Sequence, residues 1–231
     1  MKLGIIGAMT VEVETLKEQM QDKKTIQRAG MEFCEGTLDG CPVVVVQCGV
    51  GKVNAALCVQ LLCDLFSVTH VVNTGVAGSL SAELDIGDFV ISKDAMYHDF
   101  TVGPLGYSVG QVPGMDVCAF PADELLLLKA YAAADKVNPG HAHMGRVASG
   151  DQFVADKATK ARIVSDTGAL CTEMEGAAIA HAAWRNKIPF VVIRAISDKA
   201  DDSAEMDYPT FEAIAAKRCA GVTQLLAKEF A

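Results

Sequence analysis

The stretch that decides the fold is P-F-V-V-I-R-A-I-S-D-K-A-D-D, residues 189–202. Its apolar run, Phe190 to Ile193, is rich in β-branched residues, which is typical of a buried parallel strand in an α/β protein. Arg194 interrupts the run, and a guanidinium inside a buried strand needs a partner. Ser197-Asp198 end it at the strand's carboxyl end, where open α/β sheets bind ligands. The structural alternative is a salt-bridged core Arg followed by an Asp that caps the next turn.

The composition describes a folded acidic protein and excludes several classes of function. With 231 residues, 51% of them apolar, we expect a single domain, residues 1–231, with a sizeable core. Its 29 acidic residues outnumber the 20 basic ones, for a formal charge of −9, whereas nucleic-acid binding needs a basic surface. No apolar run approaches the roughly 20 residues of a membrane span. We therefore expect neither nucleic acid nor a membrane as a partner, whereas a small neutral or cationic ligand is not excluded.

The cysteines and histidines give no sign of a metal site. None of the eight cysteines forms a C-x-x-C pair, and the first residues do not resemble a secretory signal, so we expect reduced thiols in a cytoplasmic protein. His141 and His143 would share one face of a predicted strand, which is a possible metal pair. Because no third ligand lies nearby in the sequence, polar strand histidines are the favoured interpretation, and we predict no metal or cofactor.

Strands and helices alternate along the chain, which predicts an α/β fold with a largely parallel or mixed sheet. The first strand is followed by the turn Gly7-Ala8-Met9, and Thr10 offers an N-cap for a helix that reaches about Met20. A later strand is followed by Gly49-Val50-Gly51-Lys52 and another helix. Neither turn has the spacing of a dinucleotide-binding or P-loop motif. Residues 100–120 are rich in Gly and Pro and predict an irregular segment, which is often functional or interfacial.

Three further elements matter for the site. A strand over 69–73 precedes the small residues 74–78, which indicate close packing or approach to a ligand. The residues from Thr172 predict a helix in which Glu175 lies on the apolar face and Glu173 lies opposite, near Trp184. A polar loop over 203–208 then precedes a final helix led by Pro209, with Phe211, Ile214, Ala215, Val222, Leu225 and Leu226 on its apolar stripe.

Three carboxylates stand out as candidates for acid/base chemistry: Glu12, Glu175 and Asp198. Glu12 lies at the edge of the apolar stripe of its helix, whereas Glu14 and Glu18 point away from it. Glu175 would be buried among small apolar residues, and a buried carboxylate needs a partner. Acidic groups whose environments push their pKa values apart carry out acid/base hydrolysis. The structural alternative for Glu12 is a stabilising charge at the helix N-terminus.

Taken together, the motifs resemble those of the bacterial 5'-methylthioadenosine/S-adenosylhomocysteine nucleosidases, a family of the purine nucleoside phosphorylase-type superfamily. Each motif is short, but the set is collinear over nearly the whole chain. The matching pieces are G-I-I-G-A-M-T-V-E-V (4–13), G-V-G-K-V-N-A-A (49–56), N-T-G-V-A-G (73–78), Y-H-D (97–99), G-Y-S-V-G-Q-V-P-G (106–114), S-G-D-Q-F-V (149–154), E-M-E-G-A-A-I-A-H (173–181) and F-V-V-I-R-A-I-S-D (190–198).

This resemblance implies a three-layer α/β/α sandwich around a twisted, mixed central sheet, and a homodimer. It also implies irreversible hydrolysis of the N-glycosidic bond in adenine nucleoside thioethers, without a cofactor. The substrates would be 5'-methylthioadenosine and S-adenosylhomocysteine, together with 5'-deoxyadenosine. The products would be adenine and a 5-substituted ribose. Such a reaction would serve methionine salvage and the removal of methyl-cycle products.

The resemblance also implies a role for individual residues. Asp198, supported by Ser197, would protonate the purine N7, and Glu12 would activate the attacking water. Arg194 would help hold Glu12 and that water, and Glu175 would bind the ribose hydroxyls. Met174 would pack beneath the sugar, Phe153 would stack on adenine, and the Val154 backbone would bind the edge of the base. The remaining wall of the site would be formed by Ala8, Met9, Val50, Val76, Ala77, Gly78, Gln152, Glu173 and Tyr208.

The irregular segment would close the site of a neighbouring subunit through Val102, Leu105 and Pro113. Some family members carry Ser, Phe and Ile where this chain has Val76, Leu105 and Val50. These departures leave open the preference among 5'-substituents, including that of aminodeoxyfutalosine.

Two other functions compete with hydrolysis. A phosphorolytic relative would need a cationic clamp for phosphate, but neither the turn at residues 7–9 nor residues 74–79 contain an Arg, and Glu12 would repel the anion. A non-catalytic nucleoside-binding protein would not need Asp198 and Glu12 together. Hydrolysis is therefore the favoured prediction.

Overall fold

A single mixed β-sheet of ten strands runs through the molecule, with helices packed on both of its faces. The computed structural model describes residues 1–204 and 207–231. The strands are β1 (Leu3–Gly7), β2 (Gln21–Arg28), β3 (Met31–Leu38), β4 (Cys41–Gln47), β5 (His70–Ser79), β6 (Phe89–Tyr97), β7 (Phe120–Pro121), β8 (Ala142–Ser149), β9 (Cys171–Glu173) and β10 (Phe190–Asp198). The helices are α1 (Thr10–Gln19), α2 (Lys52–Phe66), α3 (Glu124–Val137), α4 (Lys157–Thr167), α5 (Gly176–Asn186) and α6 (Ala204–Lys228).

The centre of the sheet is parallel and its margins are mixed. β1 pairs in parallel with both β4 and β5, so that Ile5 lies opposite Val45 and Val72. β10 extends the parallel set by pairing with β5, and its other edge pairs antiparallel with β6. β6 pairs with β8, β8 with β9, and β9 returns to β5, which closes these strands into a ring. The predicted mixed sheet is confirmed, and the ring brings several strand ends together.

Two helical layers cover the sheet, as the sandwich architecture requires. Helices α2 and α5 contribute the apolar residues of one core cluster, and helices α1, α3 and α6 contribute those of the other. The predicted central strand is buried along its whole length, Phe190–Asp198. The small residues of α5 let that helix lie close to the sheet, where Ala177, Ala180 and Ala183 are fully buried.

The structure corrects the predicted starts of two helices. At α1 the N-cap is Met9 rather than Thr10. The carboxylate of Glu12, in the first turn of the helix, accepts the Met9 backbone N–H and so provides the capping hydrogen bond. Helix α6 begins at Ala204 and contains Pro209, which was predicted to start it after a polar loop. The polar residues at this helix start form local hydrogen bonds, in which the Ser203 hydroxyl lies within donating distance of the Asp201 and Asp207 carboxylates. Ile214, which was predicted to lie on the apolar stripe of this helix, is exposed.

Two further predictions at strand ends were wrong. The predicted strand over 69–73 continues to Ser79, because residues 74–78 pair with β10 instead of turning. The helix predicted from Thr172 starts only at Gly176, because residues 171–173 pair with β8 and β5 as a short strand. Glu173 is therefore buried beside Ser149 rather than lying on a helix face near Trp184.

All eight cysteines are free thiols, and six of them are buried. Among residues 1–204 and 207–231, no helix has the length and hydropathy that crossing a membrane requires. His141, just before β8, and His143, within it, both contact the buried Asp88: His141 Nδ1 lies 2.7 Å from its Oδ1, and His143 Nε2 lies 3.4 Å from its Oδ2. Within the described residues, no group of three or more His, Cys, Asp or Glu side chains is arranged to hold a metal ion.

Candidate active site

The candidate site is a cavity at the carboxyl ends of the parallel strands β1, β4, β5 and β10. It encloses about 580 Å³, including solvent space at its mouth, which suits a ligand of nucleoside size. Because consecutive parallel strands end at the same edge of the sheet, residues far apart in sequence meet there. The wall is formed by Ala8, Met9, Glu12, Val50, Val76, Ala77, Gly78, Gln152, Phe153, Val154, Thr172, Glu173, Met174, Glu175, Ser197, Asp198 and Tyr208.

Glu12 is held in the wall by backbone groups. Its Oε2 accepts the N–H groups of Ala8 at 2.7 Å and Met9 at 3.0 Å, and its Oε1 accepts the Val76 N–H at 3.0 Å. The side chain is buried, as predicted, and Glu14 and Glu18 are exposed. Burial raises the pKa of Glu12, although Arg194 and the three backbone bonds oppose the shift. A fixed carboxyl with a raised pKa can accept a proton from a water molecule.

Asp198 occupies the end of β10 and has two hydrogen-bond partners. Its Oδ2 accepts the Ser197 hydroxyl at 2.9 Å, and its Oδ1 accepts the Ala200 N–H at 2.8 Å. A register shift between Ile196 and Asp198 marks a β-bulge, a device that redirects side chains at strand ends. Burial raises the pKa of Asp198 against both hydrogen bonds, which favours a role as a proton donor.

Arg194 is paired with Glu173. Its Nη2 donates to Glu173 and to the Asn73 side-chain oxygen, and it forms no ion pair with Glu12. The guanidinium is buried behind the wall, 2% exposed, so it acts on the cavity through its charge. The pairing of β9 with β8 and β5 places Glu173 next to Arg194, and the role of Arg194 in holding Glu12 and the attacking water stays a prediction.

Glu175 is the N-cap residue of α5 and lines the cavity. Its Oε1 accepts the Gly51 N–H at 2.7 Å, which ties the turn after β4 to the start of α5. Burial, and then the nearby Glu173 carboxylate, raise the pKa of Glu175 to about 7, while Arg194 opposes the shift. The carboxylate that was predicted to lie on a helix face is thus buried at the helix start.

Two glycines of β5 leave the room that the acidic groups occupy. A Cβ on Gly75 would lie 2.3 Å from Glu12 Oε1 and 2.5 Å from Arg194 Nη1. A Cβ on Gly78 would lie 2.7 Å from Asp198 Oδ1. The small residues that were predicted to mark close approach therefore make space for carboxylates within a continuous strand.

The mouth of the cavity is aromatic. The Phe153 and Tyr208 rings meet edge to face, with centroids 5.5 Å apart, and Phe153 is half-exposed. The Tyr208 hydroxyl donates to Glu212 at 2.9 Å and lies 3.3 Å from the Met9 sulfur. A planar ligand can stack on such a surface.

The charge of the wall is negative. Four carboxyl groups belong to it, those of Glu12, Glu173, Glu175 and Asp198. Among the wall residues that the structure describes there is no Lys, Arg or His. The cavity therefore suits a neutral ligand or one that develops positive charge, and it repels an anion.

Comparison with known proteins identifies the family. The Phosphorylase superfamily matches residues 2–228. The chain is 42% identical over 219 residues to a 5'-methylthioadenosine/S-adenosylhomocysteine nucleosidase of Psychromonas ingrahamii, an alignment that covers 94% of each protein. The chain belongs to this nucleosidase family of the phosphorylase superfamily.

Solved structures of the superfamily share the fold over the whole chain. The nucleosidase of Colwellia psychrerythraea in complex with adenine has a TM-score of 0.95 at 38% identity, covering 100% of this chain and 96% of that one. The futalosine hydrolase of Helicobacter pylori has a TM-score of 0.93 at 31% identity, covering 99% of this chain and 97% of that one. The nucleosidase family and its phosphorylase-like α/β fold were both predicted from the motifs.

The structure brings all the predicted wall residues of this nucleosidase-family chain into one cavity, with Arg194 directly behind it. Val102, Leu105 and Pro113 lie elsewhere, on the segment after β6, and the Leu105 side chain is 72% exposed. Sequence reasoning missed Thr172, a wall residue whose buried hydroxyl has no hydrogen-bond partner among the described residues. Its pairing with Gly78 across β5 placed it there, and no local pattern indicates that pairing.

Sequence reasoning also missed a polar clamp between two wall segments. Lys52 Nζ lies 2.6 Å from Asp99 Oδ2, and the same oxygen accepts the Asp151 N–H at 2.9 Å. Asp151 Oδ1 in turn accepts the Lys52 N–H at 2.9 Å. The clamp joins the turn that carries Val50 to the segment that carries Phe153. Asp99 belongs to the Y-H-D motif and Asp151 to the S-G-D-Q-F-V motif. The presence of both acids in family motifs was the sequence signal that could have indicated the clamp.

Proposed function

We propose that this protein hydrolyses the N-glycosidic bond of 5'-methylthioadenosine and S-adenosylhomocysteine, and also that of 5'-deoxyadenosine, releasing adenine and the 5-substituted ribose. The observation that carries the proposal is a pair of buried carboxyl groups with raised pKa values, Glu12 and Asp198, in one cavity without a cationic wall residue. Membership of the nucleosidase family supports the same reaction. The reaction needs no cofactor.

In this proposal Asp198 is the general acid. Adenine leaves poorly as an anion, so a proton must reach its N7 as the bond to the sugar breaks. Burial raises the pKa of Asp198 and so favours its protonated form, and the Ser197 hydroxyl and Ala200 N–H hold the carboxyl in place. Phe153 stacks on the base, and the Val154 backbone binds its edge. Both residues belong to the same wall as Asp198.

Glu12 and Glu175 act on the sugar. Glu12 takes a proton from the attacking water, and its three backbone bonds fix the direction of approach. Glu175 accepts hydrogen bonds from the ribose hydroxyls above Met174. Positive charge grows on the sugar ring as adenine departs, and preorganised carboxylates in a cavity sheltered from water stabilise it. Arg194 limits the mutual repulsion of these acids from behind the wall.

Phosphorolysis fits this cavity poorly. A phosphate near the sugar needs donors of positive charge, whereas the wall presents four carboxyl groups. Arg194 is already engaged by Glu173 and Asn73. Other wall residues, namely Ala8, Met9, Val50, Val76, Ala77, Gly78, Gln152 and Tyr208, are uncharged and supply no cation for phosphate.

A panel of nucleosides tests the proposal. Purified protein is incubated with 5'-methylthioadenosine, S-adenosylhomocysteine, 5'-deoxyadenosine and aminodeoxyfutalosine, and free adenine is measured by chromatography. We expect release from the first three. A second candidate function is hydrolysis of aminodeoxyfutalosine, which the similarity to a futalosine hydrolase supports. Adenine release from aminodeoxyfutalosine alone would favour that function. Binding of adenine without cleavage of any nucleoside would refute both and favour a nucleoside-binding protein.

We further propose that residues 1–231 act as one nucleosidase domain and as a cytoplasmic homodimer. One sheet that includes strands from β1 to β10 supports the single domain, and eight free thiols support the compartment. Apolar side chains at i, i+4 and i+12 along α2, Val53, Leu57 and Leu65, are exposed and support a second copy packing there. Val50 lies at the cavity wall just before this row.

In such a dimer Val102, Leu105 and Pro113 would close the partner's cavity at the 5'-substituent. Analytical ultracentrifugation of wild type and Leu57→Lys tests the interface, and we expect a dimer and a monomer respectively. A wild-type monomer with full activity would refute the dimer. Leu105→Ala should raise KM for methylthioadenosine, because the partner's cavity would lose an apolar contact with the 5'-substituent.

A further inference from the structure

Glu173 is the most heavily bonded carboxylate near the cavity, and the bonds described for it are to the protein. Its Oε1 accepts the Ser149 hydroxyl and the Gly176 N–H at 3.0 Å. Its Oε2 accepts Arg194 Nη2, the Gly176 N–H at 2.8 Å and the Glu175 N–H at 3.2 Å. A carboxylate has about four acceptor sites, so little capacity is left for a substrate hydroxyl.

From these contacts we infer that Glu173 is a positioning residue, which keeps Arg194 paired away from Glu12 and fixes the start of α5 so that Glu175 faces the sugar. The inference rests on the proposed hydrolase function. It replaces the direct substrate contact predicted for Glu173 by an action through Arg194 and Glu175.

The first part of the argument concerns charge. Three carboxyl groups, Glu12, Glu173 and Glu175, surround one guanidinium, that of Arg194. Within the described part of the chain, Arg194 forms its ion pair with Glu173 alone, and both side chains are almost completely buried. Among the described residues, Glu12 and Glu175 therefore have no direct ion-pair partner, and burial raises the pKa of both carboxyl groups.

The second part concerns position. The carboxylate of Glu173 accepts the first N–H groups of α5, which satisfies donors that a helix start otherwise leaves free. The Ser149 hydroxyl, which donates to Glu173, accepts the Ala177 N–H at 2.7 Å and so belongs to the same cap. Glu175 lies between these anchored residues, and its orientation toward the cavity depends on them.

The titratable groups that face Glu175 and Glu173 come from several elements. Glu175 is faced by Glu173 from β9, Arg194 from β10, Glu12 from α1 and the Cys48 thiol after β4. The Cys48 thiol stays neutral because burial raises its pKa. Glu173 is also approached by His98 and Cys171, whose neutral forms burial favours by lowering the pKa of His98 and raising that of Cys171. Removing the charge of Glu173 thus alters mainly Arg194, Glu12 and Glu175.

The test is the pH dependence of kcat/KM for adenine release in the full-length protein. In Glu173→Gln, Arg194 is released toward Glu12 and a negative neighbour of Glu175 disappears. Both changes favour the ionised carboxylates, so the acidic limb of the profile should move down by about one pH unit. We also expect kcat to fall more than KM rises. The charge-preserving Glu173→Asp should keep the wild-type limb at a reduced rate.

Ser149→Ala is the matched control, because it removes a bond to the same carboxylate without changing charge. It should lower the rate and leave the acidic limb in place. If Glu173→Gln loses activity with an unmoved limb, Glu173 is a structural residue and the inference is overturned. If the wild type releases no adenine, the proposed function fails first, which distinguishes the two failures.

A second variant covers the case in which Glu173→Gln does not fold. Asn73 accepts from the same Arg194 nitrogen, so Asn73→Asp adds a negative charge at the other end of the pair. It should draw Arg194 further from Glu12 and move the acidic limb upward. An unmoved or lowered limb would contradict the inference.

Discussion

The space above Gly75 offers a sharp test of the site, because two catalytic-site groups fill it. A Cβ there would lie 2.3 Å from Glu12 Oε1, whereas ordinary van der Waals contact begins at 3.4 Å. In Gly75→Ala the carboxylate must therefore retreat by about 1 Å (3.4 − 2.3) or the strand must move. Arg194 Nη1, at 2.5 Å from the same position, blocks retreat in its direction.

The expected effect on activity is larger than the effect on stability. Glu12 would lose the geometry of its bonds to Ala8, Met9 and Val76, and a displacement of 1 Å in a catalytic group costs on the order of 100-fold in rate. Overpacking a core costs about 1–3 kcal/mol, partly offset by about 0.5–1 kcal/mol from replacing Gly in a strand. We expect kcat/KM to fall about 100-fold and unfolding free energy by about 1–2 kcal/mol.

The assay combines adenine release with denaturant unfolding monitored by circular dichroism. Gly221→Ala in α6 is the control, because its new Cβ meets nothing within 4 Å. It should leave kcat/KM unchanged and stabilise the protein by about 0.5–1 kcal/mol. A Gly75→Ala enzyme with kcat/KM within about threefold of wild type would refute the packing on which the placement of Glu12 rests.

Two further substitutions probe the acids. Asp198→Asn cannot deliver a proton to adenine, so kcat/KM should fall by about 100- to 10,000-fold while the fold persists; full turnover in this variant would exclude Asp198 as the acid. Glu175→Gln tests the pKa of about 7: the folded state holds its proton more tightly than the unfolded chain, so wild-type stability falls as pH rises from about 4.5 to 7. The variant lacks that loss and should exceed wild type by about 2 kcal/mol at pH 8, and by much less at pH 4.5, in urea unfolding; an equal difference at both pH values would contradict the shift.

The sequence predicted what depends on local periodicity. The helical spacing around Glu12 predicted its burial, and the apolar run from Phe190 predicted a buried central strand that ends in Asp198. Both predictions rest on patterns of side chains within one element. The family motifs then predicted the architecture, because the whole collinear set, rather than any one motif, resembles a family with this fold.

Partners that come from distant strands were not predictable in the same way. The residues around Glu173 and Glu175 favour a helix locally, but pairing of residues 171–173 with β8 and β5 overrides that preference. The ion pair between Arg194 and Glu173 depends on the same pairing. The tight contact of Gly75 with Glu12 likewise joins strand β5 to helix α1, and no spacing in the sequence predicts it.

The central claim is that water, rather than phosphate, attacks the sugar. The measurement that tests it most directly is adenine release from 5'-methylthioadenosine with and without added phosphate, with the sugar product identified by mass spectrometry. An acidic cavity that lacks a described cationic wall residue predicts free methylthioribose at a rate that phosphate does not change. Methylthioribose 1-phosphate, formed only when phosphate is present, would contradict the account and remove the role of Glu12 as the base that activates water.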